Sequence, residues 1–323
     1  MPAAGAAGPR GRGWAGLALA AASAAAFGTS GTFATSLIGA GWSPAAAVLA
    51  RIAVAAALLT VPALAQLRGR WVLLRRGAGR IAAYGLVAVA GCQLFYFNAI
   101  ARMPVGVALL LEYLGPVLVV GWLWARHGQR PRTLTVAGAA ASLSGLVLVL
   151  NLTGRAHLDP LGVMWGLLAA CGLAVYFVLS AHGGGQLPPL VLAWAGMCAG
   201  AVTLAAAGAA GLVPMAATTR DTDLLGHRAS WLVSVLGLSL VAAAFAYAAG
   251  ITAARRLGPK LASFVGMAEV LFAILFAWLA LGQLPTVMQF AGGAFIVAGV
   301  TLVRLDESRQ APALTTAARG PGA

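Results

Sequence analysis

Three charged side chains sit deep inside otherwise apolar stretches of this chain: Arg51, Glu112 and Glu269. A charge near the centre of a lipid bilayer costs at least ~2.5–3.5 kcal/mol on insertion scales, so each must face a partner or a watered cavity. Arg51 and Glu112 have opposite sign and fall at similar depth, with Gln93 at about the same level, so the three form a polar layer. Glu112 is read as the partner of Arg51. The pair either locks two helices, or Arg51 holds a substrate carboxylate while Glu112 titrates or gates. Glu269 has no cation at its level. A carboxyl in low dielectric without a counter-charge is held neutral, and a neutral acid able to ionise is what a proton-coupled carrier needs. A protonated Glu hydrogen-bonded between helices is the plainer reading. The stretch "FGTSGTFATS" adds Thr29, Ser30 and Thr32, which either allow close helix packing or line a locally unwound segment open to substrate. Tyr96, Trp194, Tyr176 and Tyr247 are further wall candidates, Tyr96 and Tyr247 foremost.

The elements that must hold these groups follow from composition. Of 323 residues, 61% are hydrophobic and 9% charged, against about 25% charged in soluble domains; mean hydropathy is +0.91. Apolar runs of about 20 residues, each long enough to cross a bilayer as a helix, recur at roughly 15–38, 44–66, 81–101, 104–125, 133–151, 161–181, 187–211, 231–253, 259–281 and 286–304. The sequence therefore predicts an all-α integral membrane protein with ten transmembrane helices. At 1.5 Å per residue, Arg51 lies about 10 Å and Glu112 about 12 Å below the outer face, and Glu269 about 15 Å from the inner one.

The net charge of +14 belongs to topology rather than to nucleic acid. Arg68, Arg70, Arg75, Arg76 and Arg80 share one side with Arg126, Arg130, Arg132 and Lys260, whereas the other side receives only Arg102, Arg155, Arg220 and Arg228 beside three aspartates. That positive-inside bias places both termini in the cytoplasm, with a plasma-membrane, multi-pass location. Trp42 and Trp231 read as interface anchors.

The chain matches itself at an offset of 154 residues (256 − 102): Arg102 falls on Arg256, Trp124 on Trp278, Gln129 on Gln283 and Pro131 on Pro285. Five spans per half is an odd number, so the second half enters the membrane from the other side. Two inverted five-helix repeats are a plan of secondary transporters, because exchanging two near-equivalent packings opens a central site to alternate sides. The divisions are a disordered tail at 1–13, repeats at 14–153 and 154–305, and a disordered tail at 306–323. In the 154-residue register Glu112 meets Gly266 and Gly115 meets Glu269, so the two acids share a face but not a level.

"FGTSGTF" at 27–33, "SPAAAVLAR" at 43–51, "ARMPVGVALLLEYLGPV" at 101–117 and "RRLGPKLASFVGMAEVLFAILFAWLALGQLP" at 255–285 resemble the EamA-type members of the drug/metabolite transporter superfamily. The form "LEYLGPV" is similar to the threonine/homoserine-type exporter branch. The resemblance implies export of amino acids or related small metabolites, driven by protons. It departs from the pattern at Ala268-Glu269-Val270, where the family's Leu-Glu-Pro would supply a kinking proline.

Cys92, Cys171 and Cys198 lie in spans without metal-ligand spacing and read as packing residues. His127, His157, His182 and His227 fall in loops assigned to both sides of the membrane, so no shared metal is expected. Asn151-Leu152-Thr153 is a chance match to a glycosylation acceptor, and no phosphate-gripping loop is present in the sequence. No cofactor, metal or nucleic-acid partner is expected, and no enzymatic activity. The expected partners are a small-molecule substrate, a proton and the bilayer, with assembly as a homodimer left open. A lipid-modifying membrane enzyme or a lipid flippase is the alternative.

Overall fold

The computed structural model describes residues 9–103, 105–150, 159–182, 187–281 and 284–317. Eight helices among them are long and apolar enough to cross a membrane. Spans 1 to 4 are Trp14–Gly39, Pro44–Leu67, Ala78–Ile100 and Gly106–His127; spans 6 and 7 are Pro160–Ala181 and Pro189–Ala209; span 10 is Val287–Arg309. The eighth, Trp231–Gly266, has 36 residues, about 54 Å of helix for a hydrocarbon core of about 30 Å. Gly258 divides it, at φ 79° and ψ 164°, a backbone conformation that costs glycine little and other residues much. Span 8 is thus 231–257 and span 9 is 259–281. Span 5, Thr133–Val149, is a shorter apolar helix of 17 residues. These make ten crossings.

The two-fold plan is written into the packing. Span 1 packs on spans 8 and 9, and span 6 on spans 3 and 4; span 2 packs on 7 and 8, and span 7 on 2 and 3; span 5 packs on span 10. Exchanging the halves, with span n for span n + 5, maps this set onto itself. Span 3 loosens to a π-helix over Tyr84–Gly91 and span 8 over Leu240–Phe245. Adding 154 to 86–91 gives 240–245, so a feature no residue identity advertised obeys the repeat.

Spans 5 and 10 cross on paired glycines. A Cβ on Gly138 would meet the Gly299 carbonyl at 2.8 Å, and one on Gly145 the Gly292 carbonyl at 2.5 Å. Gly138 and Gly292 are repeat equivalents, as are Gly145 and Gly299. In membranes helices associate through such close backbone approach rather than through hydrophobic burial. Gly145→Val should therefore abolish most folded protein, read as monodisperse yield on size exclusion. Gly121→Ala, where a Cβ meets nothing within 4 Å, should behave as the parent. A monodisperse, normally abundant Gly145→Val would refute the crossing. Gly196 and Gly200 likewise meet span 3, at the Tyr84 ring and the Gly85 carbonyl.

The terminal segments differ from expectation. Helix begins at Pro9 and the last helix runs to Ala317, because alanine-rich chain favours helix wherever a helix already exists to extend. Asp306, assigned to the tail, is buried: Thr135 donates to it at 2.6 Å and Lys260 Nζ lies at 3.2 Å, with Glu307 2.7 Å from the same ammonium. The ends of spans 5, 9 and 10 at this face are thereby tied. Residues 1–8 and 318–323, the Asn151–Thr153 acceptor and His157 lie outside the described residues.

At the opposite face Asp159 caps span 6. The Leu161 backbone N–H, followed by Arg102 at 3.3 Å, holds its carboxyl below the usual range. The loop before span 8 forms a hairpin, β1 (Thr222–Leu224) with β2 (His227–Ala229). Leu225 and Gly226 at its turn both have positive φ, as a twisted two-residue hairpin requires. Thr222 Oγ1 meets Ser234 Oγ at 2.9 Å, and Ser36 donates to the same oxygen. Trp42 is buried against Trp231, ring centres 5.9 Å apart, and donates to the Thr218 carbonyl, so the pair joins the ends of spans 2 and 8 beside the hairpin.

Candidate functional site

Three spans break at a common cavity. In span 4 the helix stops at Glu112 and restarts at Gly115, because Pro116 has no N–H to give the Glu112 carbonyl. In span 9 it stops at Gly266 and restarts at Ala268. Met267 is the repeat equivalent of Tyr113, so this break matches the first although the proline is missing. Two contacts hold it: the Val270 N–H turns to the Met267 carbonyl at 3.3 Å, and the Tyr113 hydroxyl, from the other half, approaches the Gly266 carbonyl at 3.4 Å. Span 1 is interrupted at Thr29, whose N–H reaches only to the Ala26 carbonyl. Discontinuous helices at a repeat interface are how transporters expose backbone groups and polar side chains to substrate.

Between them lies a partly open cavity, about 820 Å³ of empty space with the solvent at its mouth included. Its walls include Ser30, Gln93, Tyr96, Glu112, Tyr247 and Glu269, six of the nine residues singled out from sequence. Arg51, Thr29 and Thr32 are not among its wall residues. Thr29 Oγ1 donates back to the Ala26 carbonyl.

The expected Arg51–Glu112 ion pair does not form. Arg51, 1% exposed, donates to Ser30 Oγ at 3.1 Å, to Gln93 Oε1 and to the Ala242 carbonyl, and lies 5.9 Å from the Phe27 ring centre. Glu112, 8% exposed, instead meets the Cys92 thiol, Sγ to Oε1 at 3.5 Å. Rise along a helix fixes depth but not direction. Span 2 packs on spans 3, 7 and 8 and span 4 on spans 3 and 6, so span 3 intervenes. Arg51 and Gln93, expected only to share a level, are in contact, and Cys92 as neighbour of the acid was not expected.

Glu269 finds its partner across the repeat interface: the Tyr113 hydroxyl donates to its Oε2 at 2.8 Å. Tyr113 stands immediately after Glu112 in "LEYLGPV", which is the signal that was available for it. Phe27, Tyr176 and Phe177 also line the cavity, and Phe27 opens the quoted "FGTSGTF". Trp194 is elsewhere, donating to Thr60 Oγ1.

A second, shallower hollow lies among His127, His182, Lys260 and Glu307. His127 and His182 come together, ring centres 5.8 Å apart, where spans 4 and 6 pack side by side and end together. Among the described residues no group of three His, Cys, Asp or Glu is placed to hold a metal.

Two inverted halves closing on a cavity of this kind define a multi-span membrane transporter. The chain belongs to the EamA-like transporter family, which matches residues 14–151 and 160–305. It is 23% identical over 242 residues to the uncharacterized inner membrane transporter YicL of Salmonella typhimurium, covering 74% of this chain and 77% of that one. It is 28% identical over 207 residues to an uncharacterized transporter of Archaeoglobus fulgidus, covering 64% and 70%. A shorter match, 34% over 92 residues, joins it to the aromatic amino acid exporter YddG of Ancylobacter novellus, covering 28% and 32%. A solved crystal structure superposes with a TM-score of 0.69 at 22% identity, covering 91% of this chain and 96% of the other, which supports the fold.

Proposed function

We propose that this protein is a proton-coupled exporter of small metabolites bearing an amino group, amino acids among them, working by alternating access. One observation supports it above the rest: two carboxyl groups, the buried Glu112 and the half-buried Glu269, one from each inverted half, face a single cavity at the level where the spans break. Protonation changes the charge of a buried acid and hence which packing of the halves is favoured, which ties the cycle to a proton gradient. The aromatic walls suit an apolar body of the kind the name of the Ancylobacter relative implies.

Export further requires the basic loops, and with them both termini, to face the cytoplasm. Reconstituted into vesicles, the protein should move a labelled amine or amino acid uphill when a pH gradient is imposed. A single cysteine at Arg228, exposed in the hairpin, should react with an impermeant reagent from outside cells; one at exposed Arg75 should react only after lysis. Absence of gradient-dependent movement for every amine and amino acid tried would sink the function. Labelling of the Arg75 position in intact cells would invert the orientation.

A further inference from the structure

The chemistry of the central cavity says more about its occupant than the fold does. Its walls carry two carboxyl groups, Glu112 and Glu269, and no Lys, Arg or His among the described lining residues. Phe27, Tyr176 and Tyr247 form a three-ring patch, with centroids 5.1 to 6.4 Å apart and planes near perpendicular. Tyr176 is 4% exposed, and its buried hydroxyl, at the cavity wall, has no hydrogen-bond partner. Arg51, the guanidinium nearest the site, is not a wall residue and stands behind the wall, bonded to Ser30, Gln93 and the Ala242 carbonyl.

We propose that the cavity is a site for an organic monocation, a protonated amine on an apolar body, and that it discriminates against the same body carrying a carboxylate. The proposal rests on the transport reading only in taking this cavity as the transport site. An ammonium group is attracted to carboxylates and to the faces of Tyr and Phe rings, the more so where water is excluded. A carboxylate entering the same space meets two acids and no cationic donor.

The charges also set a ratio. With both acids ionised and Arg51 cationic, the site carries a net charge of −1 (−1 − 1 + 1). One bound monocation neutralises it; in an empty site one proton does. Cation and proton therefore replace each other one for one, and the exchange moves no net charge. The groups facing the two acids are Cys92 beside Glu112 and Tyr113 beside Glu269, with Tyr96, Tyr176 and Tyr247 in the walls and Arg51 behind Ser30 and Gln93. None of them but Arg51 is charged near neutrality.

The test uses purified full-length protein in detergent and three probes sharing one ring: phenethylamine, L-phenylalanine and phenylacetate. By isothermal titration calorimetry phenethylamine should bind at least about ten-fold tighter than L-phenylalanine, with no measurable heat from phenylacetate. Titration in buffers of different ionisation enthalpy should show one proton released per amine bound. Glu112→Gln combined with Glu269→Gln should lose amine binding by a similar factor; the wild-type comparison stands even where that variant does not fold. L-phenylalanine or phenylacetate binding as tightly as the amine overturns the proposal, and so does folded protein that binds none of the three. Binding in detergent needs no transport cycle. An amine that binds yet never crosses in vesicles counts against the transport reading alone, and a zwitterion carried while the amine is refused counts against this one alone.

Discussion

Glu269→Gln should fold normally, retain exchange of substrate across the membrane, and lose all accumulation against a gradient. The amide keeps the shape of the neutral acid, and its carbonyl oxygen can still accept the Tyr113 hydrogen bond now made to Oε2 at 2.8 Å. Packing and the break at Met267 should survive, so folding is not the variable. What disappears is the ability to release a proton on the far side, and a carrier that cannot release it has no step through which a pH gradient acts. Glu269→Asp keeps the carboxyl but draws it back from Tyr113 by one methylene, so partial, still coupled activity is the expectation. Tyr113→Phe should slow transport without uncoupling it, because the acid remains. Vesicles with an imposed pH gradient report accumulation, and counterflow without one reports exchange. Full gradient-driven accumulation by the Gln variant would reduce Glu269 to a packing residue.

What the sequence displays and what it hides have physical reasons. Spans are legible because crossing a bilayer demands length and apolarity in one unbroken run. The repeat is legible because Trp124 and Trp278 or Pro131 and Pro285 rarely align by accident, and the structure extends it to the π-helical turns and the paired breaks at Tyr113 and Met267. The Met267 break is the instructive case. Without proline at Val270 the sequence offered no signal for a kink, yet the kink is there, held by Tyr113, a residue of the other half. Contacts between halves are long-range and leave no local pattern. Depth was similarly readable and azimuth was not, which is why Arg51, Gln93 and Glu112 were placed in one layer while the partner of Arg51 was misassigned. Asp306 escaped because a polar, alanine-rich end reads as tail until Lys260 and Thr135 are seen beside it.

That misassignment leads to a prediction with a sign opposite to the one the ion pair would give. Arg51 joins span 2 to Ser30 of span 1, Gln93 of span 3 and the Ala242 carbonyl of span 8. Arg51→Met keeps most of the volume but strands three acceptors, the Ser30 hydroxyl, Gln93 Oε1 and the Ala242 carbonyl, and a buried acceptor costs about 1–3 kcal/mol when its donor is removed. A loss of several kcal/mol is expected, enough to deplete folded protein in a membrane and to lower the thermal midpoint of what remains. Had Arg51 been paired with Glu112, adding Glu112→Gln would restore much of that loss, since removing both members of a buried pair is far milder than removing one. Here the rescue should come from Gln93→Leu instead, because it removes an acceptor that Arg51→Met has left without its donor. A coupling energy of about 0.5–3 kcal/mol is typical for residues in direct contact. Denaturation midpoints of the parent, the three singles and the two doubles give both cycles from one set of proteins. Coupling of Arg51 to Gln93 larger than its coupling to Glu112 is the expected result, and the reverse order would reinstate the ion pair that the packing of spans 2, 3 and 4 opposes.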